Sequence, residues 1–134
     1  MPELEEKVVN FSGVDVTLVT TTEGVVISSG PVKVPRQTCL VHIRAWAQLQ
    51  TGAGATAMVP RIRRGTGITG AVVGEAHDET LKAAAAGYEP FTMEAAEGRV
   101  NQDTVEYSFT LQQVSATGDA TVFQAAIEVE ILGG

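Results

Sequence analysis

The stretch DTVEYSFTLQQV (103–114), SATGD (115–119) and ATVFQAAIEVEIL (120–132) decides the fold of this chain. Apolar side chains in the first segment fall at every second position: Val105, Tyr107, Phe109 and Leu111. The second segment repeats the pattern with Phe123, Ala125, Ile127, Val129 and Ile131. Alternation with a period of two is typical of a half-buried strand and incompatible with a helix. The sequence therefore predicts a β-hairpin whose apolar face the rest of the chain must cover.

Three other segments have the same character, namely CLVHIRAWAQLQ (39–50), TAMVPRIRR (56–64) and YEPFTMEAAE (88–97). With turn signals between them, they predict about eight to ten short antiparallel strands. We expect an all-β antiparallel sandwich of jelly-roll type in a single domain over residues 14–134. Residues 1–13 are expected to form an N-terminal arm or a first short strand.

The segment HDETLKAAAAG (77–87) is ambiguous. Asp78 could cap a helix, the alanines favour one and Gly87 could end it. A single two-turn helix would stand alone in an all-β pattern, however, and tertiary context often overrides propensity. The extended interpretation is therefore preferred, and the helical one stays open.

Composition limits the function classes. The formal net charge is −7 with nine Lys and Arg residues, which makes nucleic acid or an anionic membrane a poor partner. No segment approaches the ~20 apolar residues of a membrane span, and the start MPELEEK is unlike an export signal. We expect synthesis in the cytoplasm. The single cysteine, Cys39, lies on the apolar side of its strand and is expected to be buried and inert.

No residue set specifies a reaction. Gly65 to Gly70 matches GxGxxG, but that motif needs a following helix to hold a pyrophosphate, and a strand-like AVVGEA follows instead. Glu75, His77 and Asp78 could serve a metal or acid–base site, although a polar loop is the simpler interpretation. The outward glutamates Glu94, Glu97, Glu106, Glu128 and Glu130 have the pattern of a solvated face. We therefore expect no enzyme activity, no cofactor and no metal.

Candidate contact residues come from the arginines and the single tryptophan. Arg61, Arg63 and Arg64 form the basic cluster, which either meets an anionic partner or balances nearby acids. Arg44 and Trp46 lie on the polar side of a long strand, and Trp and Arg are enriched in interface hot spots. These two residues mark an assembly contact or a locally covered side chain.

The order of these parts resembles small jelly-roll domains of the tumour-necrosis-factor-like and complement-globular-head kind. The resemblance rests on VDVTLVTTTEGVVIS, CLVHIRAWAQLQTG, TAMVPRIRRGTGITG and the closing VEYSFTLQQVSATGDATVFQAAIEVEIL. In particular the chain looks like versions encoded among tailed-phage structural genes. The family implies a homotrimer and a structural or attachment role on a virion.

Two hypotheses follow. The first is a non-catalytic virion structural protein, decorating a capsid or associated with the tail, that contacts itself and other virion proteins such as a major capsid protein. Its expected interface residues are Leu4, Val8, Val9, Phe11, Arg44, Trp46, Arg61 and Arg63. The alternative is a carbohydrate- or receptor-binding module, for which exposed aromatic rings are needed but scarce.

Overall fold

The computed structural model describes residues 3–12, 17–34, 39–51, 56–75, 79–81, 88–100, 104–114 and 120–133. All regular structure in these ranges is β, as predicted. The strands are β1 (Glu3–Ser12), β2 (Thr17–Val19), β3 (Gly24–Ser28), β4 (Val32–Lys33), β5 (Cys39–Thr51), β6 (Thr56–Arg64), β7 (Val72–Glu75), β8 (Glu79–Leu81), β9 (Tyr88–Val100), β10 (Thr104–Val105), β11 (Tyr107–Gln113) and β12 (Ala120–Gly133). Ten of them have three or more residues, which agrees with the expected strand number.

The strands form two antiparallel five-stranded sheets and one short pair. Sheet A has the order β1-β12-β5-β9, with β2 also pairing with β12. Sheet B has the order β3-β11-β6-β7, with β8 also pairing with β6. The short strands β4 and β10 pair with each other. Sheets A and B pack face to face, which confirms the predicted sandwich.

The chain passes back and forth between the sheets. It runs from β1 and β2 in sheet A to β3 in sheet B, returns to A at β5, and enters B at β6 to β8. It then visits A at β9, B at β11 and A at β12, where the last strand lies beside the first. This course is the connectivity of a jelly roll.

The predicted hairpin between the two best-patterned strands is wrong. β11 pairs with β3 and β6 in sheet B, whereas β12 pairs with β1, β2 and β5 in sheet A. Both strands have an apolar face, so they can cover each other across the core as well as pair side by side. Residues 39–49 lie across the core from β11 but share a sheet with β12.

The core lies between the sheets. Sheet A contributes fully buried side chains from two long strands: Val41, Ile43, Ala45, Ala47, Leu49, Ile127, Val129 and Ile131. Sheet B contributes Ile62, Tyr107 and Phe109, which are also fully buried. The rings of Phe91 and Phe109 stack across the core with their centroids 6.1 Å apart. The predicted inward faces of the 105–111, 123–131 and 41–49 segments are therefore confirmed, apart from the half-buried Phe123.

Two segments left open by the sequence take the extended form where they are described. β1 pairs with β12 from Glu3 to Ser12, so this part of the expected arm is a long strand of sheet A. Within the ambiguous 77–87 segment, Glu79–Leu81 is strand β8, in agreement with the extended interpretation. Residues 77–78 and 82–87, with the alanine run, lie outside the described residues.

The side of the sandwich where β7 meets β9 requires a glycine. A Cβ built on Gly74 would lie 2.7 Å from the Cβ of Ala95, closer than packed carbons approach. We expect Gly74→Val to lower the free energy of unfolding by about 1–3 kcal/mol, because the sheets must separate to admit the side chain. Urea unfolding measures the change. Gly24→Val is the control, since a Cβ at Gly24 meets nothing within 4 Å; equal losses in both variants would contradict the close approach.

Candidate functional site

The outer face of sheet A is the broadest patterned surface among the described residues. Directly opposed residues on antiparallel strands lie on the same side of a sheet, so the register defines rows across β12, β5 and β9. We call the residues of these rows the A face: Ala126, Trp46 and Thr92 in one row, Glu128, Arg44 and Glu94 in the next, and Glu130, His42 and Ala96 in the third. Arg44 and Trp46, predicted as contact residues, lie at the centre of this face.

Charges of alternating sign cross the A face. Arg44 Nε donates a hydrogen bond to Glu94 Oε1 at 2.7 Å, and Lys7 Nζ lies 3.5 Å from Glu128 Oε2. His42 lies between two acids, with Nε2 3.9 Å from Glu94 Oε2 and Nδ1 3.9 Å from Glu130 Oε1. The hydrogen bond from Arg44 to Glu94, together with the charge of that carboxylate, raises the pKa of Arg44. A hydrogen bond with Glu130 and the nearby charge of Lys7 lower the pKa of Glu128.

Strand β1 extends this face at the edge of the sheet. Val9 is 55% exposed and lies opposite Glu128, whereas Val8 is half-buried and packs against the core. Leu4 and Phe11 lie opposite Leu132 and Ala126 in the backbone register, but their side chains lie outside the described residues. Of the predicted contacts in this strand, Val9 is thus exposed and Val8 contributes to the fold.

Arg61 and Arg63 lie on the outer side of sheet B, where one carboxylate engages both. Arg61 Nη1 donates to Glu23 Oε1 at 2.9 Å, and Arg63 donates to Glu23 through Nε at 2.5 Å and Nη2 at 2.9 Å. The two arginine side chains are 16% exposed and Glu23 is 10% exposed. Arg61 also lies 3.5 Å from Glu75. The two guanidinium groups are therefore neutralised within the chain, which matches the interpretation that they balance nearby acids.

Glu23 belongs to a turn that covers the polar side of β11. The Gln113 amide donates to Thr20 O at 2.7 Å, and Gln112 Nε2 donates to Thr21 O at 3.0 Å. Thr110 Oγ1 donates to Glu23 Oε2 at 2.7 Å, and Thr110 is fully buried. The polar side of β11 is therefore shielded from water at Thr110, because the turn lies over it.

The pKa of Glu23 reflects opposing effects. Burial alone would raise the pKa of this carboxyl, but hydrogen bonds from Arg63 and Thr110 and the charges of both arginines outweigh burial and lower it. A carboxyl with a lowered pKa stabilises the fold above its ordinary pKa, and this contribution disappears as the pH falls through the lowered value.

We expect a corresponding pH dependence for the variant Glu23→Gln. The difference in free energy of unfolding between wild type and variant should stay constant above the ordinary carboxyl value of 4.5 and shrink as the pH is lowered further. Urea unfolding of both proteins over a pH series measures it. A difference that is the same at neutral pH and well below 4.5 would contradict the ion-pair assignment.

A second polar group joins the two sheets at one end of the core. The phenol of Tyr107 donates to Glu97 Oε1 at 2.8 Å, and Arg64 Nη2 pairs with Glu97 Oε2. Burial and the bond to this carboxylate strongly raise the pKa of Tyr107. Glu97 is only 16% exposed, so its expected place on a solvated face is wrong. Glu97 lies opposite the buried Val41 and on the same side of β9 as the buried Met93, so its carboxylate points inward at the end of the core, where Tyr107 and Arg64 compensate its charge.

The remaining candidate groups hold no recognisable site in the described residues. Gly65 to Gly70 connects β6 to strand β7 and not to a helix, as the sequence indicated. Glu75 pairs with Arg61, while His77, Asp78 and the Cys39 side chain lie outside the described residues. In the described ranges no group of three or more His, Cys, Asp or Glu side chains could hold a metal ion. No helix able to cross a bilayer occurs in those ranges either.

A shallow cavity of about 200 Å³ lies beside the turn that carries Glu23. Its lining includes Val19, Thr22, Val26 and Leu111. Ligand pockets commonly have volumes of roughly 300–1,000 Å³, so this cavity is small for a substrate. The A face remains the best candidate for a functional surface.

Sequence reasoning missed Glu23 and the role of Glu97. A signal for Glu23 existed, because Arg61 and Arg63 are two residues apart on one side of a strand and need an acid from elsewhere. Many other acids in the sequence would have met that need equally well. Only the fold shows which one does.

Comparison with known proteins gives the fold. No family model matches the chain, and no curated protein matches it. A chain in the structure of infectious bursal disease virus, Gx strain, aligns with 98% of this chain at 16% identity and a TM-score of 0.54. Its Gt-strain counterpart aligns with 95% at 10% identity and a TM-score of 0.52. This chain spans 33% and 32% of those two chains.

A pilus chain from Bacillus endospore appendages is also similar, over 94% of this chain and 91% of the other, at 16% identity and a TM-score of 0.42. At these identities the two virus matches show the antiparallel β-sandwich fold of the chain and nothing further.

Proposed function

We propose that the chain is a non-catalytic virion structural protein that assembles through the surfaces of its sandwich. The observation that carries the proposal is the fold: 98% of the chain aligns with a third of a viral chain at a TM-score of 0.54. The A face supports it, because a broad surface of mixed charge with Trp46 at its centre suits a protein contact.

In its finer form the proposal is a tailed-phage protein that decorates a capsid or belongs to the tail. Its partners are itself, as a homotrimer, and other virion proteins such as a major capsid protein. It is made in the host cytoplasm and requires no cofactor. Support for this form comes from the resemblance to small jelly-roll domains of phage structural genes.

Quantitative mass spectrometry of gradient-purified particles tests the role. Particles from cultures that encode the chain should contain it in many copies each, at a constant ratio to the major capsid protein. Particles that lack the chain, while the chain remains in the soluble lysate, would contradict the proposal. Native mass spectrometry of the isolated protein tests the trimer, which requires three times the mass of one chain.

A second function has one observation in its favour. Trp46 is flanked in the register by Thr92 and Ala126, and in its own strand by Arg44 and Gln48. An indole with hydrogen-bonding side chains such as Thr92 and Gln48 nearby can stack on a sugar ring, which supports a carbohydrate- or receptor-binding module. A glycan array tests this function, with Trp46→Ala as the control; no bound glycan would contradict it.

A further inference from the structure

The A face carries columns of charge that follow the strands. On β12, Glu128 and Glu130 are neighbours on the outer side. On β5, the opposed residues are Arg44 and His42. The acidic column therefore runs beside a column with one permanent cation and one titratable base, and both lie on the inner strands of sheet A.

The acidic column is only partly neutralised within the chain. Lys7 lies 3.5 Å from Glu128, while Arg44 donates through Nε to Glu94 on its other side. A guanidinium group has five N–H donors, so Arg44 can donate hydrogen bonds to a second carboxylate as well. Arg44 is 49% exposed, which leaves it accessible to a partner.

We infer that the A face binds the A face of a second copy of this chain about a two-fold axis. The axis lies in the contact plane, parallel to β5 and β12 and midway between them. This axis places each β5 over the partner's β12, and each residue of β5 then faces the partner residue that belongs to the same row. Arg44 then faces Glu128 of the partner subunit, and His42 faces the partner's Glu130.

The apolar residues on this side of sheet A, in the Trp46 row and in the further row of Leu40 and Leu132, fit this arrangement. Trp46 faces Ala126 of the partner subunit, where a small side chain leaves room for the indole. Leu40, 40% exposed, faces the partner's Leu132. Sheets packed face to face cross at about 30°, so the pairs near the middle of the strands stay aligned best. Arg44 and Trp46 lie near that middle.

Electrostatics selects this axis over the other in-plane direction. An axis perpendicular to the strands would place β12 over the partner's β12 and oppose acids with acids. The parallel axis opposes the acidic column with the basic one on both halves of the interface. Charge complementarity thus favours a symmetric pair in which every contact occurs twice.

This contact deepens the proposed assembly role and rests on it only in taking self-association as the function. A threefold contact through other surfaces can coexist with it. The two-fold contact then joins two assembly units, where an assembly unit is either one chain or one trimer.

Sedimentation velocity over a concentration series tests the inference with Arg44→Glu and Glu128→Arg. The mass of the wild-type protein should rise from that of one assembly unit to that of two as the concentration increases. Each variant alone should lose the doubling, because like charges then meet across the axis. An equimolar mixture of the two variants should regain it, because a chain with Arg44→Glu then faces a chain with Glu128→Arg and opposite charges meet in both contacts.

Lys33→Glu is the matched control for Arg44→Glu, since Lys33 is exposed on β4 outside the A face and the two substitutions change the charge by the same amount. This variant should double as wild type does, and circular dichroism should show that all variants are folded. Absence of doubling in wild type, doubling by Arg44→Glu alone, or no recovery in the mixture would overturn the inference. An assembly unit of one chain would contradict the trimer but not the two-fold contact.

Discussion

Phe109→Ala should lower the free energy of unfolding by about 3–5 kcal/mol, the loss expected when a buried phenylalanine is truncated in a packed core. Phe109 is fully buried in the middle of β11 and stacks on Phe91 from the opposite sheet. The truncation leaves a cavity between the sheets, which rigid strands on both sides cannot close. Chemical denaturation of the purified variant measures the loss.

Val114→Ala is the control for this variant. Val114 follows the same strand but is 52% exposed, so its truncation should change the stability by less than about 0.5 kcal/mol. A near-neutral Phe109→Ala would show that the assignment of inner and outer faces is wrong. Such a result would also remove the basis for the A face as an outer surface.

Glu23→Gln should be the second most damaging change, with an expected loss of about 2–3 kcal/mol at neutral pH, at or just below the lower end of the loss for a broken buried ion pair. The variant keeps the size of the side chain but leaves Arg63 without its carboxylate. Arg61 keeps Glu75 at 3.5 Å and Gln112 at 2.8 Å, which moderates the loss. Urea unfolding at neutral pH measures it.

Glu94→Gln is the matched control, because it removes one charge from an ion pair of comparable length whose acid is 54% exposed. Exposed ion pairs contribute little, so we expect less than about 1 kcal/mol. Equal effects of the two variants would mean that the turn with Glu23 does not exclude water from its arginines.

The sequence predicts the strands and their faces well, because both depend on local alternation. Tyr107, Phe109 and Leu111 differ from their polar neighbours enough to indicate a buried side wherever the strand pairs. The same holds for Ala45 and Ala47 in β5. Alternation also predicts an outward position for the arginine and the tryptophan of that strand, and the structure puts both on the A face.

Strand partners cannot be predicted in this way. The pattern around residues 115–119 favours pairing of the two flanking strands with each other. The backbone hydrogen bonds of each strand can be formed equally well with a strand distant in sequence. The choice depends on the summed packing of the whole core, which alternation does not encode. Glu23 and Glu97 illustrate the same limit, since their partners Arg63 and Tyr107 lie on other strands and are revealed only by the fold.

We propose that this sandwich functions by self-assembly through its surfaces. Multi-angle light scattering of the purified wild-type chain, from low to high micromolar concentration, tests it most directly. We expect a mass that is a multiple of one chain and rises with concentration. A mass of one chain at every concentration would contradict it.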